Sequence, residues 1–125
     1  MRALLDTSVL IGERPPAGVE ASISVVTITE LHFGALLVTD EQERARRLGR
    51  LAAAEATFDP LPVTTEVARE WGRLAAAFAR RGGMPRRRQI DLAIAATAVV
   101  EKVPLLTYDV ADLRIIEDLV DARRP

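Results

Sequence analysis

The chain reads as an α/β domain in which helices cover both faces of a parallel sheet. Three observations predict this. Short apolar runs alternate with helix-length segments along the chain. Two of those runs, Arg2-Ala3-Leu4-Leu5 and Pro104-Leu105-Leu106-Thr107, end at an acid or just before one. The segment from about Arg88 to Lys102 is apolar almost all round, which suits a helix enclosed by its neighbours. At 125 residues, 49% of them hydrophobic, the sequence suffices for one packed domain over residues 1–125.

Taken in order, Arg2 to Leu5 is a buried strand that stops at Asp6-Thr7-Ser8, and Val9-Leu10-Ile11 resumes the apolar pattern. Gly12-Glu13-Arg14-Pro15-Pro16-Ala17-Gly18 is loop by its glycine and proline content. Ser22 to Val26 alternates and is β-branched, so it reads as a strand. Thr27-Ile28-Thr29-Glu30 has the form of a capping box opening a short apolar helix over Leu31 to Val38. Asp40 opens a more polar helix to about Thr57, with Glu43 and Arg47 spaced as a supportive pair. Phe58 to Val63 is extended, and Pro60 and Pro62 limit it to an edge or a partial ladder.

Thr64 begins a helix whose Val67, Trp71, Leu74 and Phe78 fall on one stripe. Arg80-Arg81-Gly82-Gly83-Met84-Pro85 ends it. After the buried strand at Leu105, Leu113 to Leu119 has a mixed pattern. Val120-Asp121-Ala122 fits a final edge strand.

Composition removes several kinds of chemistry. With no cysteine there is no disulfide framework, thiolate zinc site or cysteine nucleophile. The single histidine, His32, cannot form a histidine metal cluster, and it is given no role. No apolar run reaches membrane-spanning length, and the chain opens on a strand rather than a signal peptide. The expected location is therefore the cytoplasm, without membrane contact. Net charge is −1, yet it is unevenly spread. Six arginines and no acid lie between Trp71 and Ile90, so one rim should be basic.

The acids carry the functional signal. Asp6 closes the first strand, Asp109 and Asp112 follow the strand at Leu105, and Glu30 and Asp91 sit near helix starts. Each has an ordinary explanation in a cap or a turn. Together they satisfy a stronger condition, because carboxyl ends of parallel strands and the adjoining helix starts converge on one crevice. Carboxylates about 5 Å apart repel by roughly 3 kcal/mol per pair at an effective dielectric near 20. Such a cluster calls for a cation. Oxygen ligands without cysteine or histidine point to Mg²⁺ or Mn²⁺, and so to phosphodiester chemistry needing no histidine base.

The sequence resembles the PIN-domain family, most of all the VapC-type toxins of bacterial toxin–antitoxin pairs. The matching residues are Leu5-Asp6-Thr7-Ser8-Val9-Leu10-Ile11, Thr29-Glu30-Leu31 with Gly34-Ala35, and Arg88 with Asp91 to Ala98. Pro104 to Thr107, Asp109 and Asp112-Leu113 complete the ordered set. The resemblance implies a three-layer α/β/α sandwich around a parallel sheet and a Mg²⁺- or Mn²⁺-dependent endoribonuclease acting on RNA. It also implies a cognate VapB-type antitoxin that occludes the site, and a homodimer. On the family pattern Asp6, Glu30 and Asp91 are the first three catalytic, metal-binding acids. The fourth is Asp112 on the toxin pattern or Asp109 on the wider one, because Tyr108-Asp109 stands where such toxins often read Arg-Asn. Thr7, Ser8 and Thr107 resemble hydroxyls that orient these acids.

Arg86-Arg87-Arg88 precedes the Asp91 helix, where positive charge opposes the helix dipole. Contact with RNA phosphates is therefore expected of it. Two competing readings are a signalling receiver-like domain and a catalytically inactive interaction module. A receiver needs a lysine beside its acids, and Lys102 lies before the strand at Leu105 rather than after one.

Overall fold

The computed structural model describes residues 1–12 and 17–125; the middle of the proline-containing loop expected at Gly12 to Gly18 lies outside the described residues. Four strands form one sheet: β1 (Arg2–Leu5), β2 (Glu20–Ser22), β3 (Leu105–Leu106) and β4 (Ala122–Arg123). Their order is β2-β1-β3-β4 and every pairing is parallel. The helices are α1 (Thr7–Ile11), α2 (Val25–Leu37), α3 (Glu41–Thr57), α4 (Thr65–Arg80) and α5 (Gln89–Glu101). Two 3₁₀ segments, Pro85–Arg88 and Val110–Ile116, lead into α5 and out of β3.

Strand alternation divides the core between the two faces of the sheet. Leu4 and Leu105 point into a cluster with Val67, Leu74 and Phe78 of α4, Leu92 and Ile94 of α5, and Leu113 and Ile116. Ala3, Leu5 and Leu106 point the other way, against Val9 of α1 and Ile23, with Ile28 of α2 packed beside them. A smaller cluster of Leu31, Leu51 and Ala54 ties α3 to α2. The expected α/β/α layering is the one observed. Helix α5 needs no polar face because Leu92 to Ala98 are all buried, between the sheet and α4. Among the described residues, no helix is long and apolar enough to cross a membrane.

Local signals explain most boundaries. Asp40 and Thr64 cap α3 and α4, accepting from the Glu43 and Val67 amides at 2.9 and 3.1 Å. Pro60 and Pro62 leave the Phe58 to Val63 segment a single bridge, Leu61 to Ser24, as expected of an edge. The last strand pairs at the sheet edge, two residues beyond the expected start.

One boundary differs. Helix α2 begins at Val25, capped by Ser24, whose side chain accepts from the Val26 amide at 3.0 Å. The strand expected over Ser22 to Val26 lies instead at Glu20–Ser22, sharing only Ser22 with the expectation, and the Thr27–Glu30 capping box does not form. Thr27 is instead buried in the first turn. The strand and helix patterns overlap here, and Ser24, in the middle of the alternating stretch, takes the cap. The consequence is functional, because Glu30 moves from the helix start into its second turn.

Helix α4 ends in a Schellman motif. Gly83 N–H donates to the Phe78 carbonyl at 2.8 Å, and Gly82 N–H, at φ +91°, donates to that of Ala79 at 3.1 Å. A Cβ on Gly83 would lie 2.3 Å from the ring of Phe78, which is buried in the core shared by α4 and α5. Gly83→Ala should therefore destabilise the protein by about 1–3 kcal/mol. Urea unfolding checks this, and an unchanged midpoint would show that the ring has room to move.

Candidate active site

The sheet register sets the site. Leu5 pairs with Leu106, and the Asp6 amide donates to the Leu106 carbonyl at 2.9 Å, so Asp6 and Thr107 leave the sheet side by side. Asp6 is 5% exposed. It occupies the N-cap position of α1 but makes no side-chain cap hydrogen bond. Its Oδ2 instead accepts from Ser8 Oγ at 2.9 Å and Thr107 Oγ1 at 2.8 Å. Among the described residues Oδ1 has no protein donor. No buried side-chain oxygen among these residues lacks a partner, so Oδ1 must reach solvent. The two hydroxyls also fix the adjoining chain, accepting from the Tyr108 and Asp109 amides at 3.2 and 2.9 Å.

Glu30 approaches from α2. Thr7 Oγ1 donates to its Oε1 and lies 3.2 Å from Thr27 Oγ1. Burial raises the Glu30 pKa, the Thr7 hydroxyl opposes that, and the charges of Asp6 and Asp109 raise it further. Asp91 sits in the first turn of α5. Burial first, then the charges of Asp6 and Glu30, push its pKa up to about 6 against the pull of Arg88, with Asp112 adding to the rise. Asp109 lines a narrow depression with Asp6, Asp91, Thr107, Leu105 and Leu113. Asp112 is held by Arg88, Nη2 to Oδ1 at 3.1 Å, and Arg88 Nη1 is 3.7 Å from Asp91 Oδ2. Thus Asp6 and Asp91 occupy the middle of the cluster, with Glu30 at one end and Asp112 at the other.

These donors fit a hard divalent cation of a particular kind. Among the described residues no three acids form a ready-made ligand cage. Mg²⁺-like ions keep several waters and need only one or two carboxylates, the remaining contacts coming from substrate phosphates. An open Asp6 oxygen beside carboxylates whose mutual repulsion Arg88 offsets only in part suits that mode.

A family profile described as PIN domain matches residues 3–117. The chain belongs to the PIN-domain family. Among relatives of this PIN domain, Ribonuclease VapC4 of Mycobacterium tuberculosis is 37% identical over 115 residues, covering 86% of each chain. Ribonuclease VapC5 of the same organism is 36% identical over 114 residues, 85% of this chain and 82% of that protein. The crystal structure of VapBC-5, a member of the VapBC family of toxin–antitoxin systems from the same species, superposes with a TM-score of 0.82. It is 33% identical, over 98% of this chain and 96% of that one. FitAcB from Neisseria gonorrhoeae shares the fold, with a TM-score of 0.77 at 22% identity over 98% and 97% of the two chains. Family membership removes the receiver reading.

The arginines of this PIN domain are arranged differently from the sequence expectation. Arg88 does have a structural use, bridging Asp91 and Asp112, while Arg86 and Arg87 are exposed. A second set went unnoticed in the sequence. Arg46, Arg47 and Arg50 of α3 line a cleft with Glu30 and Thr7. Their i, i+1, i+4 spacing on a helix that packs against α2 was the available signal; it was obscured because the pair with Glu43 accounted for Arg47. His32 is exposed on α2.

The Asp91 shift predicts a pH effect in the absence of divalent metal. Its folded pKa, about 6, lies above the ordinary 3.8. The protonated form therefore favours the fold, fully below pH 3.8 and progressively less as pH rises through 6. After allowance for solvent at the half-buried side chain, about 1–2 kcal/mol should be lost across that window. In EDTA, Asp91→Asn should flatten this part of the stability profile; equal slopes for both proteins would show that Asp91 titrates normally.

Proposed function

We propose that this PIN domain is a Mg²⁺- or Mn²⁺-dependent endoribonuclease, the toxin of a toxin–antitoxin pair, assembling as a homodimer and restrained by a cognate VapB-type antitoxin. One joint observation carries the reading. The acids that follow β1 and β3 meet those of α2 and α5 at the C-terminal ends of the two central strands, in a chain 37% identical to a ribonuclease over 86% of both lengths.

Asp6, Glu30, Asp91, Asp109 and Asp112 are the carboxylates that would hold the cation, one or two of them directly and the others through its waters. When bound, such an ion polarises a phosphoryl oxygen and makes water acidic enough to supply a nucleophile near neutral pH. The rest falls to the chain. Ser8 and Thr107 lock one Asp6 oxygen so that the other faces the depression. Thr7 aims Glu30. Arg88 offsets part of the negative charge at Asp91 and spaces it from Asp112. Arg86 and Arg87, exposed beside Arg88, take phosphates of the RNA away from the reacting bond.

Asp91→Asn tests the catalytic assignment because it keeps the shape and removes one charge from the cluster. RNA cleavage with Mn²⁺ should fall by orders of magnitude, while stability in EDTA near pH 7 stays level or rises. An active Asp91→Asn protein would end the assignment. Metal should stabilise the wild type by about 2.7 kcal/mol at 100 times its Kd. Superimposed melts in EDTA and Mn²⁺ would argue for an inactive module.

Replacing Arg86 and Arg87 together by Ala should weaken binding to unrelated single-stranded RNAs alike. It should also reduce the salt slope by about 1.4, roughly 0.7 for each of two phosphate contacts on a single strand. A changed sequence preference at constant slope would mean that these arginines read bases.

A further inference from the structure

A cleft of about 280 Å³ opens at the Glu30 end of the acid cluster. One wall is α3, presenting Arg46, Arg47 and Arg50; Glu30 and Thr7 stand where the cleft meets the acids, and Ile11 and Leu31 supply apolar surface. The wall is organised in advance. Glu43 holds Arg46 at 2.6 Å and Arg47 at 2.8 Å, and Arg47 Nη1 also donates to the Gly34 carbonyl at 3.2 Å. Arg50 lies one turn further along α3, half-buried, and among the described residues no carboxylate is within ion-pair distance of it. Among the described residues, three arginines thus line or border the cleft against two carboxylates, Glu43 paired with Arg46 and Arg47 and Glu30 in the lining, a positive balance beside an otherwise negative site.

We propose that this cleft is a second phosphate subsite for single-stranded RNA, in which Arg50, flanked by Arg46 and Arg47, holds a backbone phosphate next to Glu30. The proposal rests on the nuclease reading for the identity of the ligand. A strand crossing the acids from the Arg86–Arg87 end leaves at the Glu30 end, where it meets these guanidiniums. Arginine presents planar forked donors matched to phosphate, and the apolar surface of Ile11 and Leu31 suits a sugar or base better than a carboxylate side chain. An acidic protein segment would use the same charge but would not need the opening towards Glu30.

Arg50 is the residue to change, because among the described residues it makes no ion pair. A labelled mixed-sequence RNA of about 20 nucleotides is titrated in EDTA over a range of KCl, so that binding is read without cleavage. The proteins compared are wild type, Arg50→Gln, Arg50→Lys and, as a distant control, Arg124→Gln. Arg50→Gln should bind several-fold more weakly at low salt and lower the slope of log K against log salt by about 0.7, the value for one phosphate contact on a single strand. Arg50→Lys should keep most of the slope, and Arg124→Gln should match wild type. Wild-type binding by Arg50→Gln, or no RNA binding by the wild type, overturns the subsite. So does intact RNA binding by Arg50→Gln with lost affinity for a polyglutamate probe, which would assign the cleft to an acidic protein. A separate cleavage assay with Mn²⁺ tests the underlying reading. If nothing is cleaved yet Arg50→Gln loses RNA affinity and slope, the subsite stands on a domain that binds RNA without hydrolysing it.

Discussion

The hydrogen bond from Thr107 to Asp6 joins residues 101 positions apart, and the candidate site depends on it. It forms because β1 and β3 are neighbours in parallel register and end level with each other. A slip of one residue between them would turn Leu5 or Leu106 into the wrong core and move the threonine off the acid. The leucines that fill the two faces of the sheet therefore also set the position of Asp6. Core packing and site geometry are one constraint here.

The acids pull against that packing. Two unit charges 6 Å apart repel by about 3 kcal/mol at an effective dielectric of 20, a large part of a small domain's net stability. The structure moderates the repulsion without abolishing it. Hydroxyls absorb part of the charge on Asp6 and Glu30, Arg88 sits between Asp91 and Asp112, and Asp91 is displaced to a pKa near neutrality. Fully neutralising partners at each acid would have made a more stable protein with no affinity for a cation. The remaining imbalance is the property a metal-binding site requires.

How far the sequence could be read depended on whether a residue's role was local. Asp6 alone fitted a helix cap and stood out only in company with the later acids at strand ends and helix starts, whereas α5 was legible by itself because a helix without a polar face must be enclosed. The stripe on α4 and the caps at Asp40 and Thr64 were equally plain. The start of α2 was not. Ser24 and Thr27 both offer a capping hydroxyl, and the choice is made by tertiary contacts: Leu61 bridges to Ser24, and Thr27 is needed inside, beside Thr7. The structural use of Arg88 was hidden for the same reason. From the sequence it opposes a helix dipole, whereas in the fold it answers Asp112, 24 residues away.

The early start of α2 links these features to the arginines of α3. With Val25 as its first residue, α2 carries Glu30 in its second turn, level with Thr7 and one turn before Gly34. Gly34 lies where Arg47 crosses to α2, its carbonyl accepting from the guanidinium. Glu30 consequently faces two environments, acids on the side of Asp6 and arginines on the side of α3. Had Thr27 capped the helix as the local pattern suggested, Glu30 would have been spent on the backbone amides of the first turn. Placing it further in frees the carboxylate and sets it where negative and positive surfaces meet. A polyanion that needs a cation at its reacting phosphate and arginines at its neighbours finds both conditions met on either side of this one residue.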